Sequence, residues 1–198
     1  MLNHKAFYLK ITNVQSIMRN YLLCFLLLIL FSNDSMAQEA HDVFHPHHTL
    51  GLYISHTQVI EGVDKDGHKN WLTLPSWGLD YNYKFSSKWA IGLHNDIIIE
   101  SFEVEDHLNS GEQIKTLKRV HPIASAVMAS FKPGHHFNYL FGAGGEFAST
   151  GNFFLIRIGT EYEYHINKDW EFNANLTSDF NINAYNSWAI GLGITRIF

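Results

Sequence analysis

Residues 77–85 place Trp77, Leu79, Tyr81, Tyr83 and Phe85 at every odd position and Gly78, Asp80, Asn82 and Lys84 between them. Successive strand side chains point to opposite faces, so this alternation predicts a β-strand with one apolar and one small or polar face. The same period recurs in 154–166, where Phe154, Ile156, Ile158, Tyr162, Tyr164 and Ile166 share a phase. It recurs again in 170–182, where Trp170, Phe172, Ala174, Leu176, Phe180 and Ile182 alternate with Glu171, Asn173, Asn175, Thr177, Asp179 and Asn181. Helical spacing is hard to find. Eight strands are expected, at 48–60, 71–85, 89–104, 117–131, 137–148, 153–166, 170–182 and 185–198. Ser55, His56 and Gln58 blur the pattern of the first.

The connections differ in kind. Ser86-Ser87-Lys88, the Pro133-Gly134-His135 region and Asn167-Lys168-Asp169 are tight turns. Segments 61–70 and 106–115 are longer and polar, 148–152 is short and 181–186 is intermediate. Tight turns at one end and mostly longer loops at the other describe an antiparallel up-and-down barrel with unlike ends. Alternation alone does not say which face is outside. A soluble lipocalin-like barrel turns its apolar face in to hold a lipid, and a membrane barrel turns it out. The small set Gly78, Ala90, Gly92, Gly142, Gly144, Gly159, Ala189, Gly191 and Gly193 suits a narrow lumen. The aromatic residues at strand ends (Phe85, Trp89, Phe131, Phe137, Tyr164, Trp170, Trp188) suit interfacial girdles. Both favour the transmembrane form.

The pentapeptide WAIGL occurs twice, at 89–93 and 188–192, as an interfacial Trp, two outward apolar residues and two small inward ones. Its second copy opens the last strand, Trp188-x-Ile190-x-Leu192-x-Ile194-x-Arg196-x-Phe198. That strand, closed by a terminal Phe, resembles the C-terminal signature of Gram-negative outer-membrane proteins. In architecture the whole mature chain resembles the small eight-stranded barrels of the OmpA/OmpX type. The resemblance implies a cell outer-membrane location, with Phe198 as the signal that the barrel-assembly machinery reads. It implies contact with outer-membrane lipid and lipopolysaccharide. Arg196 departs from it by carrying a charge on the lipid-facing phase, where its long stem can snorkel to the interface.

The N-terminus reads differently. Lys5, Lys10 and Arg19 precede an apolar run, Tyr21–Phe31, and Ser35 and Ala37 supply an A-x-A-like cleavage site. This is the pattern of a secretory signal peptide over 1–37, and the run is well short of the ~20 residues a spanning helix needs. A His-rich leader, 38–47, and the barrel, 48–198, follow. Cys24, the one cysteine, falls in the signal, so neither a disulfide framework nor a thiol nucleophile is expected in the mature chain. Loss of three bases against one acid makes the mature chain more acidic than the whole sequence's net −5, and no basic patch speaks for nucleic acid.

If the tight turns set the hairpin registers, Phe85–Trp89, Phe131–Phe137 and Ile166–Trp170 form outward pairs. Counting from them puts Asp80 opposite His94, Arg157 opposite Asp179 and His165 opposite Glu171, all inward. The expected lumen network comprises Asp80, His94, Asp96, Glu146, Arg157, Glu161, His165, Glu171 and Asp179. Glu100 and Glu163 join its acids, against Lys84, Arg157 and Lys132. Such a network reads first as a packed plug of ion pairs, and its acidic surplus as the lining of a narrow cation or small-solute pore.

Histidine is concentrated at one end. His41, His45, His47 and His48 lie in or beside the leader and His135 and His136 in a turn; imidazoles at this density are candidate zinc, copper or nickel ligands, though no carboxylate pattern fixes a geometry. No cofactor is expected. A lipid A-modifying enzyme is the remaining class, but the His-x-Ser pair of the lipid A deacylases is absent: the chain offers His121-Pro122-Ile123 and His56-Thr57-Gln58. Ser55 and His56 are neighbours and point to opposite faces. The expected function is a non-enzymatic outer-membrane anchor or surface-interaction protein, meeting extracellular ligands through loops 61–70 and 106–115.

Overall fold

The computed structural model describes residues 44–63, 69–106, 115–182 and 184–198; the expected signal peptide, most of the leader with His41, and the middle of both long loops lie outside them. Ten strands follow in order: β1 His47–Val63, β2 Lys69–Lys84, β3 Trp89–Ile98, β4 Phe102–Asp106, β5 Lys115–Arg119, β6 Ile123–Phe131, β7 Phe137–Ala148, β8 Gly151–Asn167, β9 Trp170–Asn181 and β10 Asn186–Ile197. Eight of them close into an antiparallel barrel in the order β1-β10-β9-β8-β7-β6-β3-β2, while β4 and β5 pair only with each other.

The register fixes the barrel's dimensions. Hydrogen-bonded partners lead from Thr49 through Asn82, Gly92, Met128, Gly142, Arg157, Asp179 and Ser187 back to β1 at Val59, a stagger of ten residues. Eight strands with that shear tilt by about 40° and form a tube of roughly 8 Å backbone radius, given ~3.4 Å per residue and ~4.8 Å between strands. Side chains fill so thin a tube.

The large apolar face is outside. Leu52, Ile54, Leu93, Val127, Phe141, Ile158, Leu176, Ile190 and Leu192 circle the wall, Val127 at 57% and Leu192 at 56% exposure. The alternative with an apolar ligand cavity is thereby excluded. Tyr83, Trp89, Phe131, Tyr162 and Trp170 ring the turn end, and Trp71, Trp188, Phe147 and Phe180 ring the other. Along β2, Trp71 and Tyr83 stand roughly 30 Å apart on the barrel axis, which matches the hydrocarbon thickness of a bilayer. At the turn end Arg196 lies over the Trp170 ring at 5.1 Å and reaches Asp169 at 3.8 Å, out of the hydrocarbon.

Three expectations need correction. Phe131 faces Tyr139, not Phe137. Lys132 N still bonds Lys88 O (2.8 Å) and His136 O still accepts from Glu163 N (2.7 Å), so Lys132–His136 all belong to the turn. Pro133 cannot donate to a two-residue hairpin there. Trp170 faces Asn167 rather than Ile166, because a bulge follows His165 and Asn167 Oδ1 accepts from Asp169 N at 2.9 Å. The segments 89–104 and 117–131 each break in two, at 99–101 and 120–122, and their outer parts form the separate β4–β5 hairpin.

Candidate functional site

Tyr53 organises the middle of the lumen. Its ring crosses the tube beside Gly51 and Gly193, where any Cβ would collide with it, and its hydroxyl donates to Glu161 Oε2 on the opposite wall at 2.7 Å. Gly193 of the small inward set thus makes room for Tyr53, and Gly92, Gly142 and Gly144 make room for neighbouring strands. Beside it, Asp80 Oδ2 lies 3.3 Å from His94 Nδ1, and His94 Nε2 is 2.9 Å from Asn82 Oδ1.

One step towards the loop end, Arg157 bridges two strands. Its Nε and second Nη donate to Asp179 at 2.6 and 2.7 Å, and its first Nη donates to Asp96. This fork-shaped pairing uses the guanidinium's fixed donor geometry and leaves Arg157 almost wholly buried. A cavity of about 30 Å³ lies beside it, touched by Thr57, Asp96, Glu146, Arg157, Thr177 and Asp179; it has room for about one water.

The turn end is closed by a charged plug. Glu163 accepts from Lys84 (3.3 Å), Asn138 (2.6 Å) and Lys132, while Glu171 meets Lys84 at 3.6 Å and His165 at 3.2 Å. Here two lysines balance two glutamates. Four acids in the middle (Asp80, Asp96, Glu161, Asp179) face one arginine, Arg157, with Lys84 acting on Glu161 from the plug, so the acidic surplus among the described residues is concentrated at mid-height.

The loop end is closed by apolar packing. Phe102 and Val104 of β4 sit on Val59, Leu74, Ile98 and Tyr185, with Leu117 and Phe153 at the margin. Arg119 of β5 is wholly buried. Its Nε donates to Glu146 Oε1 at 3.0 Å and its first Nη to Gly151 O at 2.7 Å, and its head lies 4.7 Å from the Phe153 ring centre. Tyr185 donates to the same Glu146 oxygen at 2.5 Å and Asn181 to Oε2 at 3.2 Å. Burial and the Glu146 charge push the Tyr185 hydroxyl well above its ordinary range, which keeps it a donor.

Asp80, His94, Asp96, Glu146, Arg157, Glu161, Glu163, His165, Glu171 and Asp179 face the interior or its rim, and the register pairs Asp80 with His94, Arg157 with Asp179 and His165 with Glu171. Glu100 does not; it is exposed in the break between β3 and β4. Tyr53, Arg119 and Tyr185 had gone unremarked. A signal for the closed loop end was present: the inward phase turns apolar there, at Val59, Leu72, Leu74, Ile98, Phe102 and Val104. The histidines do not converge. His47 Nδ1 is 2.9 Å from His45 O, His48 Nδ1 is 2.7 Å from Tyr81 Oη, His136 Nδ1 is 3.0 Å from Glu163 O, and His135 is exposed in its turn. Among the described residues no group of three ligating side chains is arranged for a metal. Phe198 is 69% exposed, held by backbone bonds to His48. Ser55 is buried and His56 exposed, on opposite faces of β1.

No protein-family model and no curated protein sequence matches the chain. Solved structures do. Ail, the attachment invasion locus protein of Yersinia pestis, crystallised with the heparin analogue sucrose octasulfate, matches with a TM-score of 0.51 at 13% identity over 78% of this chain and 100% of its own. The fold is that of a small eight-stranded outer-membrane barrel. Neisserial surface protein A matches this barrel with a TM-score of 0.47 at 10% identity, over 78% of this chain and 100% of its own. The outer membrane protein OprG from Pseudomonas aeruginosa matches at 0.43 and 15%, over 77% and 95%.

Proposed function

We propose that this protein is a non-enzymatic, non-conducting barrel of a Gram-negative outer membrane that presents its loop end to extracellular ligands. The observation that carries the reading is a lumen stopped at both ends, by the Lys84–Lys132–Glu163–Glu171 plug below and the β4–β5 hairpin above. A pore would need a continuous water path, and the two stoppers cross it at either end. The purified barrel in a planar bilayer is expected to give no single-channel steps. Steps whose size changes in Asp96→Asn would replace this reading with the narrow cation or small-solute pore.

Ail's complex with a sulfated sugar analogue is a precedent for ligand display on this fold, but the ligand class need not carry over. Loops 61–70 and 106–115 each hold more Asp and Glu than Lys and Arg, so a polyanion is a poor match for them. Lipopolysaccharide and other outer-membrane lipid would contact the apolar wall and its aromatic rings. An enzymatic role has no support in the site, since Ser55 and His56 face opposite ways.

Phe198 is proposed as the contact for the barrel-assembly machinery, its exposed ring being free for a second protein. Phe198→Lys is expected to lower the amount of barrel in the outer membrane several-fold while leaving refolding of the purified chain in detergent unchanged. Equal amounts in the membrane would remove the assembly role.

A further inference from the structure

The pocket that holds Arg119 is made for a guanidinium group. Glu146 supplies the carboxylate, Gly151 a carbonyl, Thr150 a hydroxyl at 3.4 Å and Phe153 an aromatic face. Tyr185 holds the same carboxylate oxygen that Arg119 uses, and Asn181 holds the other. Glu146, Thr150, Gly151 and Phe153 belong to β7, β8 and the turn between them and Tyr185 to the β9–β10 connection, whereas the guanidinium belongs to β5. Glu146, Gly151 and Phe153 would stay in place on its departure, while Thr150 would give up its bond to Lys118 O and Tyr185 its ring contact with Phe102.

The occupant is on a hairpin that stands outside the barrel's strand ladder. β4 and β5 pair only with each other. The last bonds of the barrel beneath them, Ile98 N to Pro122 O and Ile99 N to Pro75 O, both 3.2 Å, lie below the hairpin and do not include it. The return to β6 passes through His121 at φ 43°, a left-handed conformation that strains a residue with a Cβ. Under the hairpin, Glu146 faces the cavity shared with Asp96, Arg157 and Asp179.

We propose that this cage is a binding site for a guanidinium group presented from outside the cell, that Arg119 fills it as a tethered stand-in, and that β4–β5 is the lid such a ligand displaces. The Arg119–Glu146 pair together with the apolar contacts of Phe102 and Val104 keeps the lid closed in the absence of competitor, and a ligand that binds only the open form shifts the balance by its affinity for that form. The released Glu146 and the acidic surplus below it make the opened mouth a cup for cations. The inference rests on the loop end being the outer, ligand-facing end.

The test uses the whole barrel with spin labels at Glu103→Cys and Asn152→Cys, both exposed positions outside the cage. Pulsed dipolar spectroscopy is expected to give one short distance without ligand. Argininamide in the millimolar range should add a longer distance, and neutral citrullinamide should not. Arg119→Gln should show the longer distance with no ligand, and Glu146→Gln should lose the response to argininamide. Folding of each variant is checked by its heat-dependent gel mobility. An unchanged distance with argininamide, or equal responses to both amides, overturns the inference. If Arg119→Gln does not fold, the argininamide titration of the unsubstituted cage decides alone. A membrane-impermeant thiol reagent on intact cells separates the two readings. Failure to label Glu103→Cys would sink the surface role together with the site, whereas labelled cells with an unresponsive lid would sink the site alone.

Discussion

Arg157→Ala is expected to destabilise the barrel by about 3–5 kcal/mol, the range for stripping one partner from a buried ion pair. The loss exceeds that of an exposed salt bridge because Asp96 and Asp179 would remain across a narrow tube with no cation between them. Urea unfolding of the refolded protein in lipid vesicles reads the change. The companion triple variant Arg157→Met, Asp96→Asn, Asp179→Asn should recover most of it, since no orphaned charge is left. A single variant with unfolding like wild type would mean that the chamber is wet enough to screen the carboxylates.

Gly144→Ala is expected to do more damage than its one methyl group implies. A Cβ at this position would run into the Ser125 carbonyl and lie 2.5 Å from Ala126 Cα, so the obstacle is backbone and cannot rotate away. Overpacking usually costs about 1–3 kcal/mol, and a backbone obstacle places this case at or above the top of that range. Gly134→Ala is the control, because a Cβ there meets nothing within 4 Å. Loss of the compact unboiled gel form in Gly144→Ala but not in Gly134→Ala is the predicted result; two equal bands would mean that β6 and β7 can spread.

How much of this was readable in advance varied with the physics. Alternation fixes which residues share a face, and turns short enough to allow one register fix who faces whom. Ser86-Ser87-Lys88 therefore led to Asp80 opposite His94 without a structure. The Pro133 turn misled because proline removes a donor and lengthens the connection, and at Asn167 a side chain closes the turn and leaves a bulge. Neither displacement changes parity within the barrel strands, so each strand's faces follow its alternation; Glu100 departs because it lies in the break after β3. The hairpin was lost for another reason. Phe102 and Val104 continue the phase of Ala90–Ile98, and a period of two cannot show that a strand has left one sheet for another. Arg119 gave no signal at all, because its partner Glu146 is distant in sequence and joined only by the fold.

The central claim is a closed barrel with its apolar face towards lipid. Gel mobility of the outer-membrane fraction, boiled against unboiled, tests it most directly. A band in that fraction which shifts only on boiling is predicted, because a sealed hydrogen-bonded barrel resists detergent until heated. A soluble periplasmic protein with no shift would contradict the account.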